Sequence, residues 1–446
     1  MFSLKKLFII SVLTMAGQAW CGPVSTSSDR ALTSITKLKN GIPIIARETP
    51  GSEIIHLEIN FATGTSKLPS NRRALNLLTF DTMPFASKKF PKEKIFALSE
   101  KYSFSIECKG GVESSHCQVE TIRDYWPQAL ELLLQVVLQP NFNSDDTALS
   151  KKRRIAEFQR ETENPEARSN AVVNSIFYDR NHPFRLLPEE GVSQTQSLSS
   201  DDLKNYHQTI LDASIISIVY AGPKIPKSTL DSLERNLGRI GRIQRQATPV
   251  PSPTFDPKNS LAFEHRPIPT AYIRLKFNAP SALSPDAEAA DLMFEILSEK
   301  LHEEVRTKRS LSYSVHAGSI QYSQGIGMIA VTTSKPRETL ESIANVIRKL
   351  RDNGVSKDEL EEYRNIFTTT YYLTMETHDS LAAALSTSQT YFNNAMRLYE
   401  IPAKLNAVTA DDIQRVAKAT LTNIRGGIVF DKDKFTPQWF DPIRAL

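Results

Sequence analysis

Two short runs of strict alternation organise the chain. Ile55, Leu57, Ile59 and Phe61 alternate with His56, Glu58 and Asn60, and Ile273, Leu275 and Phe277 alternate with Arg274 and Lys276. A period of two predicts half-buried β-strands, and the two runs lie 216 positions apart. A second pair of segments repeats at an offset of 210: Leu198 to Leu203 leads through Leu211 to Ile218-Val219-Tyr220, and Val408 to Ile413 leads through Leu421 to Ile428-Val429-Phe430. Ser199 and Thr409 precede these helices as N-caps, each with carboxylates in the following turn. The same order of elements at near-constant spacing indicates a duplicated unit.

Between these landmarks the pattern turns helical. Pro127 suits a first helical position before Ala129 to Leu138, and Leu340, Ile343, Ile347 and Leu350 form an apolar stripe that stops at Gly354. Ser356 and Glu359 form a capping box for the next helix. Phe104 to Val119 reads as a hairpin around Gly110-Gly111, while Ala287 to Val305 reads as a helix running into a strand at Ser314. Mixed in this way, the elements predict an α+β protein of two homologous α/β-sandwich halves, with antiparallel sheets and helices on one face. The boundaries follow: a first half over 22–245, a Pro-rich linker over 246–260 and a second half over 261–446.

The first 21 residues differ from the rest. Lys5 and Lys6 precede an apolar run from Leu7 to Met15 and then small residues, the plan of a secretory signal peptide; a retained anchor is the alternative, on a run short for a bilayer. No later segment nears the roughly 20 apolar residues of a membrane span. Export, most simply to a bacterial periplasm, is therefore expected, with no stable membrane anchor after cleavage. Of 446 residues, 40% are apolar and 23% charged, which is globular composition, and a net charge of +4 gives no support to nucleic-acid binding. Cys108 and Cys117 remain in the mature chain on facing arms of the predicted hairpin. They can form a cross-strand disulfide in an oxidising compartment or remain as two thiols.

Several motifs carry a resemblance to a known family. Leu38-Lys39-Asn40-Gly41-Ile42-Pro43, the step His182-Pro183-Phe184, the capped helix before Ile218, and Arg306-Thr307-Lys308-Arg309-Ser310-Leu311-Ser312-Tyr313 together resemble the pitrilysin or insulinase (M16) zinc peptidases over nearly all of the mature chain. The resemblance implies a LuxS/MPP-like metallohydrolase fold in a clamshell arrangement. Catalytic members carry His-x-x-Glu-His and, after 76 residues, a third ligand, Glu. Two His at i and i+4 share one helix face, and the Glu between them serves as base on metal-bound water. In the matching register this chain has Asn76, Thr79 and Phe80, with Glu157 at the third position. An amide, a hydroxyl and a phenyl ring supply no strong zinc ligand and no general base. Glu157 then serves a surface ion pair or a helix contact.

None of the eight histidines forms an i, i+4 pair or a His-Glu-x-x-His pattern, although His302 and His316 flank the arginine-tyrosine segment and could line a cavity. The basic run Lys151 to Arg154 reads as a solvated face. The resemblance assigns Arg306 and Tyr313 to a pair that contacts substrate near the scissile bond, where guanidinium and phenol donate hydrogen bonds to a peptide carbonyl or its oxyanion. Family members have Gly and Ala where Ser310 and Ser312 stand here. The resemblance thus implies a subunit with no cofactor of its own, paired with a zinc-bearing M16 homologue that holds the metal, or with itself, to bind and help cleave unfolded peptides. A non-catalytic scaffold or peptide-holding protein is the alternative.

Overall fold

The computed structural model describes residues 30–244, 249–373 and 375–446. The segment expected to be a signal peptide, and residues 246–248 of the expected linker, lie outside the described residues. The first half contains β1 (Thr33–Lys37), β2 (Pro43–Glu48), β3 (Ile54–Phe61), α1 (Ala74–Thr82), α2 (Lys92–Tyr102), β4 (Ile106–Lys109), β5 (Ser115–Ile122), α3 (Trp126–Leu138), α4 (Ser144–Glu163), α5 (Pro165–Phe177), α6 (Pro188–Ser197), α7 (Ser200–Ile210), β6 (Ile216–Gly222) and α8 (Lys227–Leu237). The second contains β7 (Leu261–His265), β8 (Ala271–Ala279), α9 (Ala287–Leu301), β9 (Ser314–Gln321), β10 (Gly325–Thr333), α10 (Pro336–Asn353), α11 (Lys357–Leu373), α12 (His378–Phe392), α13 (Ile401–Ala407), α14 (Ala410–Thr420), β11 (Arg425–Phe430) and α15 (Asp441–Arg444).

The repeat read from the sequence is a repeat of topology. The first sheet runs β1-β2-β6-β3-β5-β4 and the second β7-β11-β8-β10-β9. Matching β7 to β2, β11 to β6, β8 to β3, β10 to β5 and β9 to β4 superimposes the two orders, with β1 as an extra edge. One amendment concerns strand direction: β2 pairs with β6, and β7 with β11, in parallel, whereas the other pairs are antiparallel. The helices α7 and α14 stand 210 positions apart and begin with the same reciprocal cap, Ser199 with Asp202 and Thr409 with Asp412. Such boxes satisfy amide donors that a helix start leaves open.

Each half packs its own helices on one face of its sheet. Leu78, Leu133 and Val137 meet Leu57 and Ile59 in the first half, and Leu297, Ile343 and Ile347 meet Ile273 and Leu275 in the second. The opposite, inner faces were expected to meet solvent, and they do not. In β3 every residue after Ile54 is buried, including His56, Glu58 and Asn60; in β8, Arg274 and Lys276 are buried as well. The cover comes from the other half. Helix α5 leaves the first half and lies across β7, β11 and β8, while α12 leaves the second half and lies across β6 and β3. Leu381, Ala382 and Leu385 of α12 pack on Ile45 and Val219.

This exchange places a polar row beneath each crossing helix, and the rows find partners. Asn60 Nδ2 donates to Thr390 Oγ1 at 2.9 Å, and Lys276 Nζ donates to Asn174 Oδ1 at 2.7 Å. Close approach is possible because β11 offers Gly427 under α5. A Cβ there would stand 2.4 Å from Val173 N and 2.6 Å from Ser169 O, both backbone atoms that cannot turn aside. Gly427→Ala is therefore expected to lower stability by about 1–3 kcal/mol, read as a lower urea midpoint; an unchanged midpoint would refute the close seating of α5.

Burial pushes the Lys276 ammonium down to about 7, and the neighbouring Arg274 charge adds to the effect. In the unfolded chain a lysine keeps its proton to about pH 10.4. Between these values the unfolded state binds more protons, so this group makes stability rise with pH from about 7 to about 10 and contributes no slope below that window. Lys276→Met should raise stability at pH 6 by about 1 kcal/mol or more and remove that rise. Urea titrations across the pH range measure both, and a variant that keeps the wild-type slope would clear Lys276 of the effect.

Candidate functional site

Helix α1 carries the three positions at which the family holds its metal motif, and all three face inward. Asn76 is fully buried; its Nδ2 donates to Gly111 O (3.2 Å) and Ser115 Oγ (3.1 Å), while its Oδ1 accepts from Tyr206 OH (2.9 Å). Thr79 turns its hydroxyl back onto Leu75 O at 2.7 Å, and the Phe80 ring meets Phe61 edge-on, 5.5 Å between centroids. Gly110 lets the hairpin turn rest on this helix: a Cβ there would stand 2.9 Å from Asn76 Nδ2 and Leu77 Cα. Amide, hydroxyl and ring are each committed to the core.

Glu157, on α4, is half exposed and pairs with Arg154 at 2.8 Å. Arg154 itself grips Asp81 on α1 with two bonds, Nε to Oδ2 (2.7 Å) and Nη2 to Oδ1 (2.6 Å). Burial raises the Asp81 carboxyl above its ordinary range, with Arg154 opposing that rise. The basic run 151–154 is thus only partly a solvated face: Arg154 is drawn inward by Asp81, Arg153 covers the Phe85 ring at 5.0 Å, and Lys151 Nζ caps carbonyls of Gln196 and Leu198. A zinc ion does not fit these residues, since the carboxylate points to an arginine and none of the other three positions offers an imidazole. Among the described residues no group of three or more His, Cys, Asp or Glu side chains is arranged to hold a metal ion.

The other predicted pair does come together, in the second half. Helix α9 ends at Leu301 rather than Val305 and widens into a π-helical turn, His302–Lys308, that carries Arg306. Wide turns of this kind recur at functional sites. The Arg306 guanidinium lies over the exposed Tyr313 ring, 4.5 Å from its centroid, and Arg306 Nη1 donates to His302 Nε2 at 3.2 Å. Arginine has no acceptor atom, so His302 Nε2 is the acceptor in this contact. Glu303 and Glu304, the nearby carboxylates, are taken by Lys308 and Arg309, at 2.8 and 2.6 Å. Among the described residues Arg306 has no carboxylate partner, so its remaining N–H groups and the Tyr313 hydroxyl can meet a carbonyl or carboxylate from outside.

Departures from the family pattern are absorbed locally. Ser310 adopts φ +49°, the left-handed conformation that explains a preference for Gly there. Ser312 is buried and its Oγ lies 2.8 and 2.7 Å from the carbonyls of Ser314 and Thr332, holding the start of β9 to β10. His302, which flanks the pair in the sequence, contacts Arg306. His316 does not: it belongs with Arg274 and Glu166, on the α5 side of the sheet, and burial lowers its pKa first, with Arg274 adding to the effect. Cys108 and Cys117 face each other across β4 and β5 and are joined by a disulfide. Sequence reasoning missed Tyr206, Ser115 and the Asp81–Arg154 pair; none has a spacing that signals contact with α1.

Comparison with known proteins decides the family. The sequence model of the insulinase family, peptidase family M16, matches residues 79–187, and that of the peptidase M16 inactive domain matches residues 197–367. The chain belongs to the M16 family. It is 18% identical over 384 residues to the non-peptidase homolog YmxG of Helicobacter pylori, covering 84% of this chain and 86% of that protein. Its fold is similar to that of the peptidase M16 inactive domain from Pseudomonas fluorescens (TM-score 0.81, 18% identity, 90% of this chain and 98% of the other). It is also similar to the periplasmic protease PqqL from Escherichia coli (TM-score 0.75, 16% identity), covering 90% of this chain but 45% of that one. This M16 chain is of the type that lacks the zinc site and retains the arginine-tyrosine pair. No helix of the described residues is long and apolar enough to cross a membrane.

The two ligand positions should respond to substitution in opposite measure. Asn76→Ala removes three buried hydrogen bonds, those with Gly111, Ser115 and Tyr206, and should cost about 1–3 kcal/mol. Glu157→Ala removes half of an exposed ion pair and should cost under about 1 kcal/mol. Thermal unfolding of both variants checks this order, and a costlier Glu157→Ala would mean that the carboxylate has a role not seen in its contacts.

Proposed function

We propose that this chain is the non-catalytic member of an exported two-subunit peptidase, pairing with a zinc-bearing M16 homologue and presenting Arg306 and Tyr313 to the bound peptide. One observation carries the reading. The three metal positions on α1 are sealed into the core, whereas the arginine-tyrosine corner stays open, with an arginine that no carboxylate among the described residues neutralises. In the assembled enzyme the partner supplies the activated water, and the two donors polarise the peptide carbonyl or steady the negative charge that develops on its oxygen. Export is supported by the Lys5-Lys6 and Leu7–Met15 pattern and by the disulfide between Cys108 and Cys117, a bond that persists in oxidising compartments.

A second reading is favoured by the stacking itself. An arginine lying on a tyrosine is also a common structural contact, and a scaffold or peptide-holding protein would need no more than that. Hydrolysis of a quenched fluorescent peptide by this chain, by the zinc-motif homologue and by their mixture separates the two. Activity confined to the mixture is expected, with Arg306→Ala lowering turnover roughly tenfold or more while the complex still elutes as one species. A homologue fully active alone, with nothing added by mixing, would replace the partnership with the scaffold reading. Hydrolysis by this chain alone would overturn both.

A further inference from the structure

Helix α12 does not cover the whole inner face of the first sheet. Beside its first turn lies a cleft of about 550 Å³, bounded by β3, β4, β5 and the end of α2. Three carboxylates from three separate elements line it: Glu107 of β4, Glu120 of β5 and Asp379 of α12. Ser99 and Ser103 add hydroxyls, and no lysine or arginine is among the lining residues. Neither Glu120 nor Asp379 forms an ion pair with a lysine or arginine among the described residues.

His56 forms the floor of this cleft and has an unusual environment. Its side chain is 1% exposed, and neither ring nitrogen has a hydrogen-bond partner among the described residues. Glu120 Oε2 lies 3.5 Å from Nδ1. The groups that face the ring are all acidic: Glu58 from its own strand, Glu120 from β5 and Asp379 from α12, with Glu107 across the cleft. Burial keeps the imidazole below its ordinary pKa against the pull of those carboxylates, so at neutral pH the ring is uncharged and the cleft is strongly negative.

We propose that this cleft binds a guanidinium group, carried by an arginine in a peptide or by a free arginine-like molecule. A metal ion is the poorer match, because the acidic side chains do not converge on one point. A planar cation with five N–H donors can instead reach separated carboxylates and hydroxyls at once. The site is separate from the Arg306–Tyr313 corner and lies against the first sheet, so the inference stands whether or not a partner subunit exists. Acidification works against it: once His56 takes up a proton, its charge competes with the ligand for the same carboxylates.

Calorimetric titration of the full mature chain with acetyl-Ala-Ala-Arg-Ala-Ala-amide tests the idea, beside the same peptide with citrulline and beside acetyl-arginine amide. The arginine peptide should bind, and the citrulline peptide, equal in shape but uncharged, should bind at least about tenfold more weakly. Because each carboxylate contributes modestly near solvent, Glu120→Gln and Asp379→Asn should each weaken binding by about fivefold, and both side chains are exposed enough for the variants to fold. Affinity should fall as the pH drops below the ordinary imidazole value of about 6.5, and His56→Gln should flatten that fall. Equal affinity for acetyl-arginine amide and for the peptide would assign the ligand as a single residue, and tighter peptide binding would assign it as a chain. Indistinguishable titrations with the arginine and citrulline peptides, or unchanged binding by the Glu120→Gln/Asp379→Asn double variant, would overturn the proposal.

Discussion

The exchange of one helix in each direction holds the molecule together. Without α5 the second sheet would expose Val429 beside the buried charges Arg274 and Lys276; without α12 the first would expose Ile45, Val219 and the row from His56 to Asn60. Neither half can complete its burial alone. Further contacts lock the exchange at its ends. The Glu113 carboxylate, in the first half's hairpin loop, accepts from Ser323 of the second half's β-turn and from Tyr391 of α12 at 3.0 Å, and Thr33 meets Tyr399 at 2.6 Å. Separating the halves would strand these polar groups and bare apolar surface, so the two repeats are bound to unfold together.

That architecture gives the two inner faces opposite electrical character. The faces of β3 and β8 that meet the crossing helices carry Glu58 and Asn60 in one strand and Arg274 and Lys276 in the other. A duplicated framework has been filled with different charges on the same face. The asymmetry extends to the chemistry. Helix α1 is packing material, its Asn76 fastened to Tyr206 and Ser115 and its Phe80 set edge-on to Phe61, whereas the end of α9 has a widened turn and an accessible arginine. Which end of the fold is closed and which stays open is readable in which side chains are satisfied internally.

Much of this was legible in one dimension. Strand periodicity, the paired capping boxes and the 210-residue echo located the two halves, because those signals come from contacts within a few residues or from the repetition itself. The departure of Asn76, Thr79 and Phe80 from metal-ligand chemistry also needed only residue identity. The role of Arg154 was not legible: a basic run looks solvated until Asp81, distant in sequence, is brought beside it.

The sequence by itself thus determined the elements, their duplication and the absence of a zinc-binding set, since local backbone preference and side-chain chemistry decide these. Tertiary structure alone decided what lies on the second face of each sheet. An alternating strand reports that one face is apolar, and its polar residues look the same whether they meet water or a helix. Here His56, Glu58, Asn60, Arg274 and Lys276 meet helices that arrive from the opposite half, more than 90 residues away in the chain. Burial, and with it the lowered basicity of Lys276 and of His56, is a property of that crossing and not of the strands that carry them.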